Sequence, residues 1–144
     1  MKTIYLLATA SLISAAAGAD NPRWKLTDKD IARIDAEIEA FGLSDAPQIS
    51  DAEKAKALTA DTAAVVVKGG SVEVLNGLTH LKDLEELYVV IGEITEADLE
   101  SLTAFKKLKR LTLGMASRYR LRNELWEPTG KLTSLEQLDI RCDP

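Results

Sequence analysis

The chain has 144 residues, with 18 Lys and Arg against 23 Asp and Glu, for a net charge of −5. That acidic balance argues against nucleic acid as a partner, and the length suits one domain with a modest core. One cysteine and one histidine cannot build a Cys/His metal set or an internal disulfide.

Residues 1–19 read as a secretory signal peptide. Lys2 gives a positive start, Ile4 to Ala16 is apolar, and Ala17-Gly18-Ala19 is a small-residue cleavage site before Asp20. The apolar run is too short for a comfortable span. Cleavage therefore predicts a secreted or periplasmic protein with no stable membrane insertion; the alternative is an uncleaved N-terminal anchor. No other apolar stretch in the sequence is long enough to cross a bilayer.

Residues 27–41 predict an amphipathic helix, with Ile31, Ile34, Ile38 and Phe41 on one face. Thr27 is the expected N-cap with Asp30 as a weak capping box. Leu26 and Ile31 form a hydrophobic staple, and Gly42 supplies the stop. Arg33 and Glu37 are spaced to pair across a turn. After the turn residues Ser44-Asp45-Ala46-Pro47 comes a shorter helix, with Ser50 as its expected cap and Glu53 completing the box. Residues 20–61 are expected to form an N-terminal helical cap over the first apolar layer of a stacked core. The alternative is a separate helical binding module.

From residue 62 the chain repeats itself. The first strand is expected over Ala63 to Lys68, where Val65 and Val67 align with Leu87 and Val89. The pattern L-x-x-L-x-x-L-x-V runs through Leu81, Leu84, Leu87 and Val89. It returns in Phe105, Leu108, Leu111 and Leu113, and again in Leu132, Leu135, Leu138 and Ile140. Successive copies are offset by 24 and 27 residues, the signature of a repeat array. Between copies, Thr95 is positioned to cap a short helix, with Asp98 at N3 and Ile94 and Leu99 as a staple.

These copies resemble leucine-rich repeats, and Ile94 to Leu102 resembles the convex side of the 24-residue bacterial type. The resemblance implies an α/β fold: a short curved solenoid over residues 62–144, with about three to four parallel strands on its concave face. It also implies a concave protein-binding surface. The family often places Asn three residues after the last strand apolar; here Gly70, Gly92, Ala116 and Asp143 stand there, so no asparagine ladder is expected.

On such strands the leucines point to the core and the residues between them to the concave side. The exposed column would be Val66, Tyr88, Thr112 and Asp139. The flanking columns would be Ala64, Glu86, Arg110 and Gln137, and Lys68, Val90, Gly114 and Arg141. The extra chain of residues 114–125 carries the one basic cluster, Arg118, Arg120 and Arg122, interleaved with Tyr119 and Leu121. It is either a solvated loop or a contact loop for an acidic partner; Arg and Tyr are enriched in binding hot spots. Pro128 and Gly130 make a long helix after it unexpected.

Catalysis finds little support. His80 stands alone, Lys68-Gly69-Gly70-Ser71 lacks the spacing of a phosphate loop, and Glu85 and Glu86 point to opposite faces. Glu96, Asp98 and Glu100 read as helix-start charges on a solvent face. The expected function is therefore protein binding, with no enzyme activity, cofactor or metal. The sites are Val66, Tyr88, Val90, Arg110, Thr112 and Asp139 on the concave face, and Arg118, Tyr119, Arg120 and Arg122 in the loop. The alternative is a structural or assembly element of the cell envelope. It would form a homodimer through its open C-terminal end, with Cys142 in an intermolecular disulfide. A third reading, an enzyme using surface carboxylates, has only their abundance behind it.

Overall fold

A computed structural model describes residues 28–69, 72–91, 96–115 and 126–142. Residues 1–27, which include the expected signal peptide, Leu26 and Thr27, lie outside the described residues, as do Gly70, Gly92, Ile94, Thr95, residues 116–125, Asp143 and the side chain of Cys142. The elements in order are α1 (Asp28–Ala40), β1 (Gln48–Ile49), α2 (Ala52–Lys56), β2 (Ala64–Lys68), α3 (Val72–Gly77), β3 (Glu86–Ile91), α4 (Glu96–Leu102), β4 (Arg110–Met115), α5 (Trp126–Gly130) and β5 (Gln137–Cys142).

The fold is α/β, with one five-stranded, all-parallel sheet in chain order β1-β2-β3-β4-β5. Its register is the one the repeat alignment predicts. Val65 pairs with Leu87, Leu87 with Leu111 and Leu111 with Leu138, while Val67, Val89, Leu113 and Ile140 form the companion row. A slip of one residue would have turned every leucine to the opposite face.

The core lies on one side of the sheet. Val65, Val67, Leu87, Val89, Leu111 and Leu113 pack there against Ala55, Val74, Leu75, Leu99 and Leu102 from the connecting helices. Each fully buried aliphatic side chain contributes about 1.5–3 kcal/mol. At Gly77 a Cβ would meet the Ala55 Cβ at 2.9 Å and the Ala52 carbonyl oxygen at 3.1 Å, so α2 and α3 touch through a position that admits no side chain. Ion pairs, exposed except at the half-buried Glu86, join β3 and its approach to β4 at the repeat offset: Lys107 to Asp83 (2.5 Å), Lys109 to Glu85 (3.0 Å) and Arg110 to Glu86 (3.6 Å). In water such pairs contribute little individually.

α1 ends as expected, at Gly42. That residue takes φ 71°, its N–H donates to Glu39 O (3.0 Å), and the Leu43 N–H donates to Ile38 O (2.9 Å). This is a Schellman ending with its apolar contact, since Leu43 and Ile38 share one buried cluster.

Four expectations need correction. Residues 62–144 hold four described strands, as expected, but the segment expected to be a purely helical cap also holds a short strand, Gln48–Ile49, paired with Val66–Val67 and too brief to show any period. The N-cap of α2 is Asp51, not Ser50; its carboxylate accepts from Lys54 N at 2.8 Å. That places Glu53 at N2, where it pairs with Lys56 (3.0 Å) instead of closing a capping box. Asp98 is buried, not on a solvent face. Last, α1 does not cover the first layer of the core. Ile49 and Ala55 are the N-terminal members of that layer, and α1 packs on the opposite side of the sheet.

Candidate functional surface

The candidate surface is the sheet face opposite the core. Its rows follow from strand pairing: Val66, Tyr88, Thr112 and Asp139 lie side by side. Ala64, Glu86, Arg110 and Gln137 flank them on one side, and Lys68, Val90, Gly114 and Arg141 on the other. The sequence-derived columns are therefore the structural ones.

Their exposure is not what alternation alone predicts. Val66, Tyr88, Val90 and Thr112 are buried. Ile34 and Ile38 of α1, with Leu43 beyond it, close over Val66, Tyr88 and Val90. The signal was present in the sequence: Val65-Val66-Val67 and Leu87-Tyr88-Val89-Val90 are apolar at both parities, as strands covered on two faces are. The stripe of α1 and the apolar half of the face are each other's only large complement in the second cluster.

Polar contacts bind the same two surfaces. Lys68, itself 3% exposed, donates from Nζ to Asp35 Oδ1 at 2.7 Å. The Tyr88 hydroxyl donates to Glu37 Oε2 at 2.5 Å. Arg141 Nη1 lies 3.9 Å from Glu37 Oε1, and its guanidinium carbon is 5.1 Å from the Phe41 ring centroid. Phe41 and Tyr88 meet at 6.0 Å between centroids, tilted by 54°. Burial pushes the Tyr88 phenol well above its usual range. The hydrogen bond to Glu37 and that carboxylate's charge push the same way, against Arg141 and Arg33. Arg33 lies 4.0 Å from Asp30.

The β4–β5 half of the face is more exposed by contrast, although Thr112 and Gly114 of β4 are buried. Arg110 and Arg141 have side chains 57% and 47% exposed, Gln137 is exposed and Asp139 half-buried. The Gln137 amide donates to Asp139 at 2.6 Å. β4 leads at Met115 into residues 116–125, where Arg118, Tyr119, Arg120 and Arg122 lie outside the described residues.

His80 serves structure. Its Nδ1 is 3.0 Å from Gly77 O and its Nε2 2.8 Å from Leu58 O, tying the end of α3 to the chain after α2. Among the described residues no three His, Cys, Asp or Glu side chains are grouped to hold a metal, and no helix is long and apolar enough to cross a membrane. Comparison of the chain with family models, with curated proteins and with solved structures finds no match in any of the three.

Proposed function

We propose that this chain is an exported leucine-rich-repeat protein that binds a protein partner through the more exposed β4–β5 half of its concave face and the adjoining 114–125 loop. Support for the repeat assignment comes from the three sequence copies falling in register across β3, β4 and β5. The observation that carries the binding surface is the contrast within one face. Val66, Tyr88 and Val90 are covered by α1 and Arg141 reaches its Glu37, while Arg110, Gln137 and Asp139 stand in contiguous rows on the more exposed side. The exposed Arg110, beside a loop with three more arginines, favours an acidic partner surface. Asp139 and Arg110 keep the binding role the sequence suggested. Val66, Tyr88 and Val90 do not reach a partner while α1 is docked, and Thr112 is itself buried.

Site-specific photo-crosslinkers at Gln137 and Asp139, with a control at Glu73 on α3, test this in an envelope extract. A partner captured from the strand positions, and lost when Arg110, Arg118, Arg120 and Arg122 become Ala, is the expected result. Equal capture from Glu73 would move the site elsewhere. N-terminal sequencing of the exported protein should begin at Asp20.

One observation favours a second reading, self-association. Leu135, Leu138 and Ile140 pack against the core but are only partly buried, and β5 pairs with β4 alone among the described strands. On that reading two copies meet at β5, with Cys142 able to form an intermolecular disulfide. It predicts a dimer on non-reducing gels, and a noncovalent dimer in Cys142→Ser. A protein that stays monomeric in oxidising buffer contradicts it.

A further inference from the structure

We propose that the β2–β3 half of the face is a docking groove for an acidic amphipathic helix, with α1 as its resident occupant, which a partner helix of the same chemistry displaces. This goes beyond the β4–β5 binding site and stands without it.

The groove is separable from the fold that carries it. Every residue of the main core comes from Ile49 onward. α1 contributes no residue to it; Ile34 and Ile38 of its buried stripe belong to the second cluster, built with Val66, Tyr88 and Val90. Lifting α1 away would leave the first layer of packing complete. A helix of 13 residues is also marginal in water by itself. α1 holds its form because it is docked, and it loses that form when it leaves.

The recognition chemistry is directional. Every polar contact described between the two surfaces has its donor on the sheet and its acceptor on the helix: Lys68 to Asp35, Tyr88 to Glu37 and Arg141 to Glu37. Lys68 and Arg141 lie in one row of the sheet, with the Tyr88 hydroxyl in the adjoining row. The helix answers with apolar side chains at Ile34, Ile38 and Phe41, spaced i, i+4 and i+7, and carboxylates at i+1 and i+3. This is helix-in-groove recognition. Lys68 and Arg141 beside the apolar strip select against a helix with lysines at those two positions, because like charges would then face each other, one of them the buried Lys68. The occupant is thus a partner's helix with an aliphatic stripe flanked by carboxylates. The short tether through Phe41 to Pro47 keeps α1 at an effective concentration on the order of millimolar, so a free helix competes poorly until α1 is weakened.

The test uses the full chain with a protease site inserted between the exposed residues Ser44 and Asp45, and a fluorescein-labelled peptide of residues 28–43 as probe. After cutting, the α1 piece is held only by the groove. The peptide should then bind saturably by fluorescence anisotropy, about tenfold or more tighter than to the uncut chain. A peptide carrying Asp35→Lys and Glu37→Lys should lose at least about tenfold in affinity. In the uncut chain, Ile34→Ala with Ile38→Ala should also raise peptide affinity about tenfold. Three results overturn the proposal. The cut protein unfolds when its α1 piece dissociates, which makes α1 part of the fold rather than an occupant. The lysine peptide binds as well as the native one. Or the uncut wild type forms dimers with exchanged α1 helices, which assigns the groove to a second copy instead of a partner.

Discussion

Tyr88→Phe removes one oxygen from the centre of the α1–sheet contact. The lost bond is a phenol donating to Glu37 at 2.5 Å. Hydrogen bonds to charged groups contribute about 1.5–3 kcal/mol net. Glu37 has a side chain 21% exposed and keeps Arg141 at 3.9 Å, so water and a second cation replace part of the loss. The expected cost is therefore at the low end, about 1.5 kcal/mol. Tyr88→Ala also empties a site that is 1% exposed, and large-to-small changes of a buried aromatic cost about 3–5 kcal/mol. Urea unfolding at neutral pH, followed by far-UV circular dichroism, measures both. Glu37→Gln completes a double-mutant cycle, and the two single changes should be strongly non-additive. The pH dependence has a definite sign. The folded phenol titrates above its ordinary value of 10.0, so the stability it contributes is fully present below about pH 10 and is lost as pH rises from there toward the folded value. The gap between wild type and Tyr88→Phe should stay constant from neutral pH to about pH 9 and close above pH 10. If Tyr88→Ala changes stability by less than about 0.5 kcal/mol, as exposed substitutions do, Tyr88 is not beneath α1 and the account of this face is wrong.

Ile34→Asp places an unpaired charge on the buried stripe and should cost several kcal/mol of α1 docking. Because the main core excludes α1, hydrogen exchange should show amides of residues 28–40 losing protection while β3 keeps its own; simultaneous loss in both would tie α1 to the global fold. Gly77→Ala puts a methyl 2.9 Å from the Ala55 Cβ and should destabilise by about 1–3 kcal/mol, measured by the same urea assay. A neutral outcome there would mean that α2 and α3 sit farther apart. In a spectrophotometric alkaline titration, one tyrosine should ionise late, and Tyr88→Phe should remove that late phase alone.

Much of the sheet was legible in the sequence because register follows from the leucines. The alignments of Val67, Val89, Leu113 and Ile140 are the observed pairings, and so are the rows on the opposite face. Which side of the sheet α1 covers was not read correctly. The repeat pattern says which parity of residue faces the core; it does not say what the other parity meets. Val66 within the Val65-Val66-Val67 run, with Tyr88 and Val90, held that information, since two valines and a tyrosine side by side do not suit a water-facing surface. On the polar half of the same face Arg110 and Gln137 are exposed as expected and Asp139 is half-buried, while Arg141 reaches Glu37 of α1. Smaller misses have local causes. β1 is two residues long, below any periodic signal, and Ser50 and Asp51 are adjacent residues that both serve well as N-caps.

The central claim is that α1 lies on the face that carries Tyr88. Isotope-edited nuclear Overhauser spectroscopy of the protein tests it most directly, because Phe41 and Tyr88 come from segments with no other reason to meet. Their ring centroids lie 6.0 Å apart, so cross-peaks between the two rings are expected, and they should vanish in Ile34→Asp. A Tyr88 ring that shows cross-peaks only to its strand neighbours, with a freely exchanging hydroxyl, would contradict the account.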